Sequence, residues 1–158
     1  MIKLNFFSKT NNWSRRIAKV KKVSKLAMKE KSQMRFKKNI IYYLNIILTN
    51  DAEIKKLNLK YKKNNKTTDV LTFISEYKND KKLTKYCDIY FSANMIENDS
   101  KKNKIDFYDH FAHVLVHSFL HINGYLHEKF KDFVKMQKTE INILSKMGIE
   151  NPYLKNEK

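Results

Sequence analysis

Short β-rich runs alternate with stretches of helical spacing along this chain, and that alternation limits what it can fold into. Strands are predicted from Ile2 to Phe7, Ile40 to Leu48, Val70 to Phe73 and Asp88 to Phe91. Helical patterns occupy the intervals between most of them. Strands separated by helices favour an α/β (α+β-like) fold, with a small mixed four-stranded sheet and about five helices in one domain over residues 1–158.

The predicted helices are located by apolar spacing and by end signals. The first has apolar residues at helical spacing below a basic outer face: Trp13, Ile17, Val20, Val23 and Ala27. Asn50 or Asp51 caps the second, which runs to about Tyr61 with its inward positions at Ile54, Leu57 and Tyr61. A polar loop, Lys62 to Thr68, follows it. The others are Ala93 to about Lys101, Asp106 to about Ile122, and Phe130 to Met147 with Gly148 as the stop.

Composition restricts the class of protein and its partners. A hydrophobic content of 42% argues against disorder, and the longest apolar run, Ile40 to Leu48, is far shorter than the ~20 residues that cross a membrane. The start of the chain does not resemble a secretory signal, and the single cysteine, Cys87, fits a reducing compartment. We therefore expect a cytoplasmic protein without a membrane partner.

The charge of the chain points to a polyanionic partner. There are 33 basic and 16 acidic residues, for a net charge of +17, and phosphate backbones are the commonest target of such an excess. Only three of the basic residues are arginines (Arg15, Arg16 and Arg35), a bias that an AT-rich genome also produces. Charge alone therefore indicates nucleic acid without establishing it.

All five histidines lie between positions 110 and 127. His117 and His121 are four residues apart, so on a helix they project from one face, roughly 6 Å apart. Two imidazoles at that spacing can bind one metal ion. His113 is eight residues from His121, about 12 Å along a helix, which is too far for both to bind the same ion. We expect packing or supporting roles for His110 and His113.

The third metal ligand is predicted to be His127. Gly124, one of two glycines, can end the helix after His121 and turn the chain back. Three protein ligands with an open fourth position are typical of catalytic zinc, whereas structural zinc usually has four ligands, often cysteines. Imidazole also binds copper, nickel and iron, so Zn²⁺ is expected from ligand type and open geometry.

The histidine segment resembles that of a known bacterial family. The stretch from His117 to His127, HSFLHINGYLH, is similar to the H-G-x-L-H-L-x-G-Y-D-H signature of the YbeY endoribonucleases, also called rRNA maturation factors. LNLKYK and TDVLTF resemble the family's L-N-x-x-[YF]-R and T-[DN]-V-L-[ST]-F, and CDI stands where the family has Gly-Asp-Ile. With Asn151-Pro152-Tyr153, the likeness covers about Leu57 to Tyr153.

The resemblance implies a single-domain α/β fold with one zinc ion on His117, His121 and His127. It also implies cleavage of single-stranded RNA, without DNA specificity, in the maturation of the 3′ end of 16S ribosomal RNA and in ribosome quality control. The small ribosomal subunit or its assembly factors would be the partners.

Four positions depart from the family pattern: Lys62 replaces an arginine, Cys87 and Ser118 replace glycines, and Leu126 replaces an aspartate. Lys62 keeps the charge but loses the planar fork that grips a phosphate at two points. We assign Lys62 to holding the scissile phosphate, and lysines of the first helix and of the loop Lys62 to Lys66 to a non-specific electrostatic groove. Asp69 and Asp88 are candidates for supporting the metal site or for structural roles.

Two other functions stay compatible with the sequence. The first is an assembly factor that binds ribosomal RNA, keeps a structural zinc and leaves the RNA uncut. The second is a metallopeptidase with a displaced general base, because zinc peptidases of this helical type have glutamate where this chain has Ser118.

Overall fold

The computed structural model describes residues 1–62, 70–126 and 128–155, and of Lys62 and Lys155 it describes the backbone only. The chain divides into a sheet unit, Met1–Ala18 with Lys37–Asn98, and a helical unit, Lys19–Phe36 with Asp99–Lys158. Lys63 to Asp69 lie outside the described residues, and so does His127; the first range contains most of the predicted polar loop and the candidate Asp69. One domain over the whole chain stays a prediction.

The strands of the described residues form one mixed sheet in the sheet unit. They are β1 (Ile2–Ser8), β2 (Ile40–Thr49), β3 (Val70–Asn79) and β4 (Lys82–Ser92). Their order is β1-β2-β4-β3. β2 runs parallel to β1 and β4, whereas β3 is antiparallel to β4. The predicted α/β class and mixed four-stranded sheet are confirmed.

The two central strands bury one face of the sheet. Three pairs lie side by side in the β2–β4 register, and all six side chains are fully buried: Leu44 with Cys87, Ile46 with Ile89, and Leu48 with Phe91. β-branched and aromatic residues suit a central strand because they pack against their cross-strand neighbours. This apolar layer forms the core of the sheet unit.

Asp88 has structural partners on the opposite face of the sheet. The Nδ2 group of Asn45 donates to Asp88 Oδ1 at 2.9 Å, and Asn5 Nδ2 donates to Asn45 Oδ1 at 3.1 Å. A polar row thus joins β1, β2 and β4 and provides a hydrogen-bond donor to Oδ1 of Asp88. Of the two roles predicted for Asp88, support of the metal site and a structural role, this arrangement favours the structural role.

Strands β3 and β4 are longer than the sequence patterns predicted. They pair without interruption from Val70 with Phe91 to Asn79 with Lys82, around a turn at Asp80 and Lys81. The residues from Ile74 to Asn79 are exposed. Backbone hydrogen bonds between the two strands form this outer half of the hairpin. Because these bonds do not depend on apolar side chains, the sequence there lacks the alternation of apolar and polar residues that predicts a strand.

Helix α2 (Asp51–Lys62) follows β2. The side chain of Asn50 accepts a hydrogen bond from the Glu53 N–H at 3.0 Å, so Asn50 is the cap. Ile54 is buried as predicted, but Tyr61 is 59% exposed, and the prediction that it points inward was wrong. The buried position of the last turns is Asn58, because the inward stripe follows the i, i+4 spacing from Ile54.

The first helix, α1 (Ile17–Met28), begins later than predicted. Trp13 belongs instead to a short 3-10 turn, Asn11–Trp13, where its Nε1 donates to the carbonyl of Thr49 at 2.7 Å. That bond and full burial fix the indole against the end of β2, outside the helix. Within α1, buried Val20 and Ala27 confirm the amphipathic pattern.

The later helices agree closely with their predicted positions. They are α3 (Ala93–Lys102), α4 (Phe107–Ile122) and α5 (Phe130–Lys146). A further short helix, α6 (Pro152–Lys155), was not predicted. α4 and α5 pack against each other in the helical unit. Gly148 has a φ of +80° just after α5, which is the left-handed conformation that a helix stop requires. Among the described residues, no helix is long and apolar enough to cross a membrane.

Asp106 is the N-cap of α4, and its Oδ2 accepts hydrogen bonds from the N–H groups of Tyr108 at 3.0 Å and Asp109 at 3.3 Å. Asp106→Ala should lower the free energy of unfolding by about 1 kcal/mol, because it leaves these donors without a side-chain partner. Asp106→Asn should cost much less, since asparagine caps equally well. Urea unfolding measures both; equal losses would mean that the carboxylate charge, rather than the cap, stabilises the helix.

Candidate active site

A stripe of histidines runs along α4. The helix is buried around most of its circumference by a set of mainly apolar side chains: Phe111, Ala112, Val114, Leu115, Val116, Ser118, Phe119, Leu120 and Ile122. His110, His113, His117 and His121 occupy the remaining face and are partly exposed. Their spacings of three, four and four residues place them in one row. Core packing therefore fixes the rotation of α4 and holds the imidazoles on its open side.

His117 and His121 are neighbours in this row. Their ring centroids are 4.6 Å apart and their planes cross at 79°. Two imidazoles this close can each direct one nitrogen to a shared ion at about 2.0–2.1 Å. The structure thus brings together the two ligands that the sequence predicts on the helix.

The predicted third ligand, His127, lies outside the described residues. Within the described part of the chain, no group of three His, Cys, Asp or Glu side chains could hold a metal ion. The turn before His127 is formed as predicted, because Gly124 has a φ of +90° and the N–H of Tyr125 donates to the carbonyl of Leu120 at 3.0 Å. The three-histidine site stays a prediction.

A buried carboxylate on α5 supports the histidine row. Glu140 is 1% exposed, and its Oε1 forms a short hydrogen bond with Nδ1 of His117. Its Oε2 lies 3.0 Å from Nε2 of His113. Burial by itself would raise the pKa of Glu140, but the hydrogen bonds and charges of His113 and His117 lower it to about 2. Glu140 is therefore a charged acceptor between two histidines.

The position of Glu140 decides how His117 could bind a metal. A carboxylate that accepts from Nδ1–H fixes the tautomer and the orientation of the ring, so that Nε2 becomes the metal-binding atom. Histidine ligands in metal sites usually have such a partner. The arrangement of His117 and Glu140 therefore fits a metal ion bound on the far side of the ring.

Glu140 was not among the predicted site residues, although the pattern of α5 carries a signal for it. Met136, Glu140, Ile143 and Leu144 form the buried stripe of α5. A lone acidic residue in such a stripe is rare unless it is paired. That pattern identifies a buried carboxylate with partners, but it does not say which element supplies them.

Tyr153 completes the surroundings of Glu140. Its hydroxyl donates a short hydrogen bond to Oε2 of Glu140 and lies 3.2 Å from Nε2 of His113. Burial and the neighbouring carboxylate raise the pKa of Tyr153 above its ordinary value, so the hydroxyl stays a donor. The tyrosine of the Asn151-Pro152-Tyr153 motif thus contacts the carboxylate that orients His117.

The positions that depart from the family pattern have different surroundings. Ser118 is buried and donates to the carbonyl of Val114 at 2.9 Å, so a serine, not a carboxylate, follows His117. Cys87 is fully buried in β4, where burial raises the pKa of its thiol to about 11. Leu126 is 56% exposed in the turn after α4. Lys62 is the last residue of α2, and its side chain lies outside the described part.

Comparison of the chain with known proteins identifies a family of relatives. The family model described as Endoribonuclease YbeY matches residues 6–148. A protein named Endoribonuclease YbeY from Anaplasma phagocytophilum is 40% identical over 114 residues, which cover 70% of this chain and 71% of that protein. One from Anaplasma marginale is 32% identical over 164 residues and covers 99% of both chains.

A solved structure has a similar fold. The solution structure of TM1509 from Thermotoga maritima matches with a TM-score of 0.53 at 22% sequence identity, covering 93% of this chain and 91% of that one. This likeness concerns the fold, whereas the family model and the sequence identities concern descent. On the family model and the sequence identities, the chain belongs to the Endoribonuclease YbeY family.

Proposed function

We propose that this protein is a zinc-dependent endoribonuclease that cleaves single-stranded RNA. Family membership supports an RNA-cleaving hydrolase, since the relatives are named endoribonucleases. The observation that carries the metal part is the close pair of His117 and His121, with Nδ1 of His117 engaged by buried Glu140. Two imidazoles at this spacing, one of them oriented by a carboxylate, are suited to binding one metal ion.

The donors of this site suit zinc. His117, His121 and His127 would hold the ion, and three neutral imidazoles leave it a position for substrate. When bound, zinc supplies Lewis-acid chemistry to a phosphodiester. Glu140 keeps the ring of His117 oriented, and Lys62, at the end of α2, would hold a phosphate oxygen by its charge.

The natural substrate in this proposal is ribosomal RNA. The net charge of +17 favours a long polyanion, and binding would weaken steeply as salt is added. We infer a cytoplasmic role in maturing the 3′ end of 16S ribosomal RNA and in ribosome quality control, in contact with the small subunit or its assembly factors. The position after His117 disfavours the peptidase alternative, because buried Ser118 cannot act as the general base.

The decisive test is RNA cleavage by zinc-loaded wild type and by His121→Ala. The substrate is a single-stranded ribosomal RNA fragment, and its cleavage is followed on a gel. Wild type should cut it. His121→Ala should cut it at least about 100-fold more slowly, because the histidine pair is broken. His110→Ala removes another histidine of the same row and should retain cleavage.

The remaining outcomes separate the alternatives. Wild type that binds zinc and RNA but leaves the RNA intact would support the assembly factor instead. Equal cutting by wild type and His121→Ala would mean that the observed cleavage comes from a contaminating nuclease and not from this histidine pair. Cleavage of casein without cleavage of RNA would support the peptidase.

A further inference from the structure

The start of α5 presents large apolar side chains to solvent. Phe130 is 82% exposed, Phe133 41% and Val134 38%. Exposed phenylalanines grouped on one helix face are typical of a binding surface. Phe133 also lines a small cavity of about 30 Å³ together with His117, Gln137 and Glu140. The exposed aromatic surface therefore reaches the histidine row.

A basic stripe lies on the outer side of the same helix, about 100° around its axis from Phe130. Lys131, Lys135 and Lys138 are exposed, and their spacings of four and three residues place them in one row along α5. At about 100° per residue, the positions around the helix run from the lysine row to Phe130 and then to Phe133. Glu140, the partner of His117, comes next. Around α5, the lysine row is thus followed by the aromatic rings and then by the glutamate that contacts the histidine row of α4.

We propose that the exposed start of α5, from the lysine row past Phe130 to Phe133, is a binding surface for single-stranded RNA that crosses the helix, with unpaired bases stacked against Phe130 and Phe133. Phosphates of the same strand contact Lys131, Lys135 and Lys138. The proposal rests on the proposed function, because it places the RNA beside the histidine pair. It goes further by assigning substrate binding to residues outside the histidine motif.

The chemistry of the surface favours this occupant. Each base has a flat face that stacks on an aromatic ring, and these faces are accessible in single strands but are covered in a duplex. An apolar protein partner would explain the two phenylalanines, but not a row of three exposed ammonium groups on the same helix. A nucleic acid strand uses both, since it alternates apolar base faces with anionic phosphates.

The first test measures RNA binding without cleavage. The full-length protein carrying His121→Ala serves as the parent, and its affinity for a fluorescent single-stranded RNA is measured by anisotropy. Adding Phe130→Leu keeps an apolar side chain but removes the ring, and it should weaken binding about 5- to 10-fold. Phe7→Leu is the matched control, because Phe7 is 50% exposed on β1 and should leave the affinity unchanged.

The second test concerns the lysine row. Replacing Lys131, Lys135 and Lys138 with glutamine should reduce the slope of log affinity against log salt by about 2, the release expected for three phosphate contacts on a single strand. The same change at three exposed lysines of the β3–β4 hairpin, Lys78, Lys81 and Lys82, is matched in charge and should alter the slope much less.

The outcomes distinguish failure of this surface from failure of the proposed function. A parent protein that binds no RNA would contradict the proposed function itself. A parent that binds RNA with an affinity unaffected by Phe130→Leu would overturn the surface on α5, as would equal affinity for single-stranded and duplex RNA. Loss of self-association in Phe130→Leu, measured by sedimentation at unchanged RNA affinity, would assign the face to contact between copies of the chain.

Discussion

Glu140→Ala should weaken zinc binding about 10- to 100-fold, the usual effect of removing the carboxylate partner of a histidine ligand. The ring of His117 would lose the acceptor that fixes its tautomer, so that Nε2 would no longer be held in one orientation. Affinity is measured by competition with a chromophoric chelator, which gives a readout independent of RNA cleavage.

The same substitution should also destabilise the fold. His113, His117 and Tyr153 all have hydrogen bonds to Glu140, and their loss inside the protein should cost about 2 to 5 kcal/mol. Ile143→Ala is the matched control, because Ile143 is fully buried on the same helix and its truncation costs a similar amount. If folded Ile143→Ala and folded Glu140→Ala bind zinc equally well, the orienting role of Glu140 is wrong.

Zinc should raise the melting temperature of the protein by about 5 to 10 °C when free zinc is 100 times its dissociation constant. A ligand that binds only the folded state stabilises it by about 2.7 kcal/mol at that ratio. In a chain of this size each kcal/mol shifts the midpoint by about 2 to 4 °C. Chelation of the metal should reverse the shift, and calorimetry with and without zinc measures it.

His121→Ala and His127→Ala are the informative variants for this zinc effect. Each removes one proposed ligand, so most of the stabilisation by zinc should disappear in both. His110→Ala removes a histidine of the same helix that is not a proposed ligand, and it should keep the full shift. A zinc effect that survives in His127→Ala would mean that the third ligand has been assigned wrongly.

The paired imidazoles were predictable because their geometry is local. Residues four apart on a helix share a face whatever else the fold does, so His117 and His121 could be paired from their spacing alone. Glu140 could not be placed in the same way. It reaches His117 across 23 positions of sequence, through the packing of α4 on α5, and the pattern of α5 shows only that its side chain is buried.

The errors in the fold have the same origin. Helical spacing locates the inward stripe of α2 but not the point where the core ends, so Tyr61 was assigned inward although it is exposed. Trp13 fits the helical spacing of α1, yet its hydrogen bond to Thr49 holds it in a turn before the helix. The outer half of the β3–β4 hairpin escaped prediction because backbone pairing in an exposed strand does not require apolar alternation.

The sequence by itself determined the features that depend on close neighbours: the α/β class, the caps and stops of the helices, the row of histidines and the family motifs. The tertiary structure alone decided the strand order β1-β2-β4-β3, the carboxylate that orients His117, and the tyrosine that contacts that carboxylate. The physical reason is one of range. Periodicity and capping act within one or two turns of chain, whereas a buried charge is satisfied by whichever distant element the core packing brings to it.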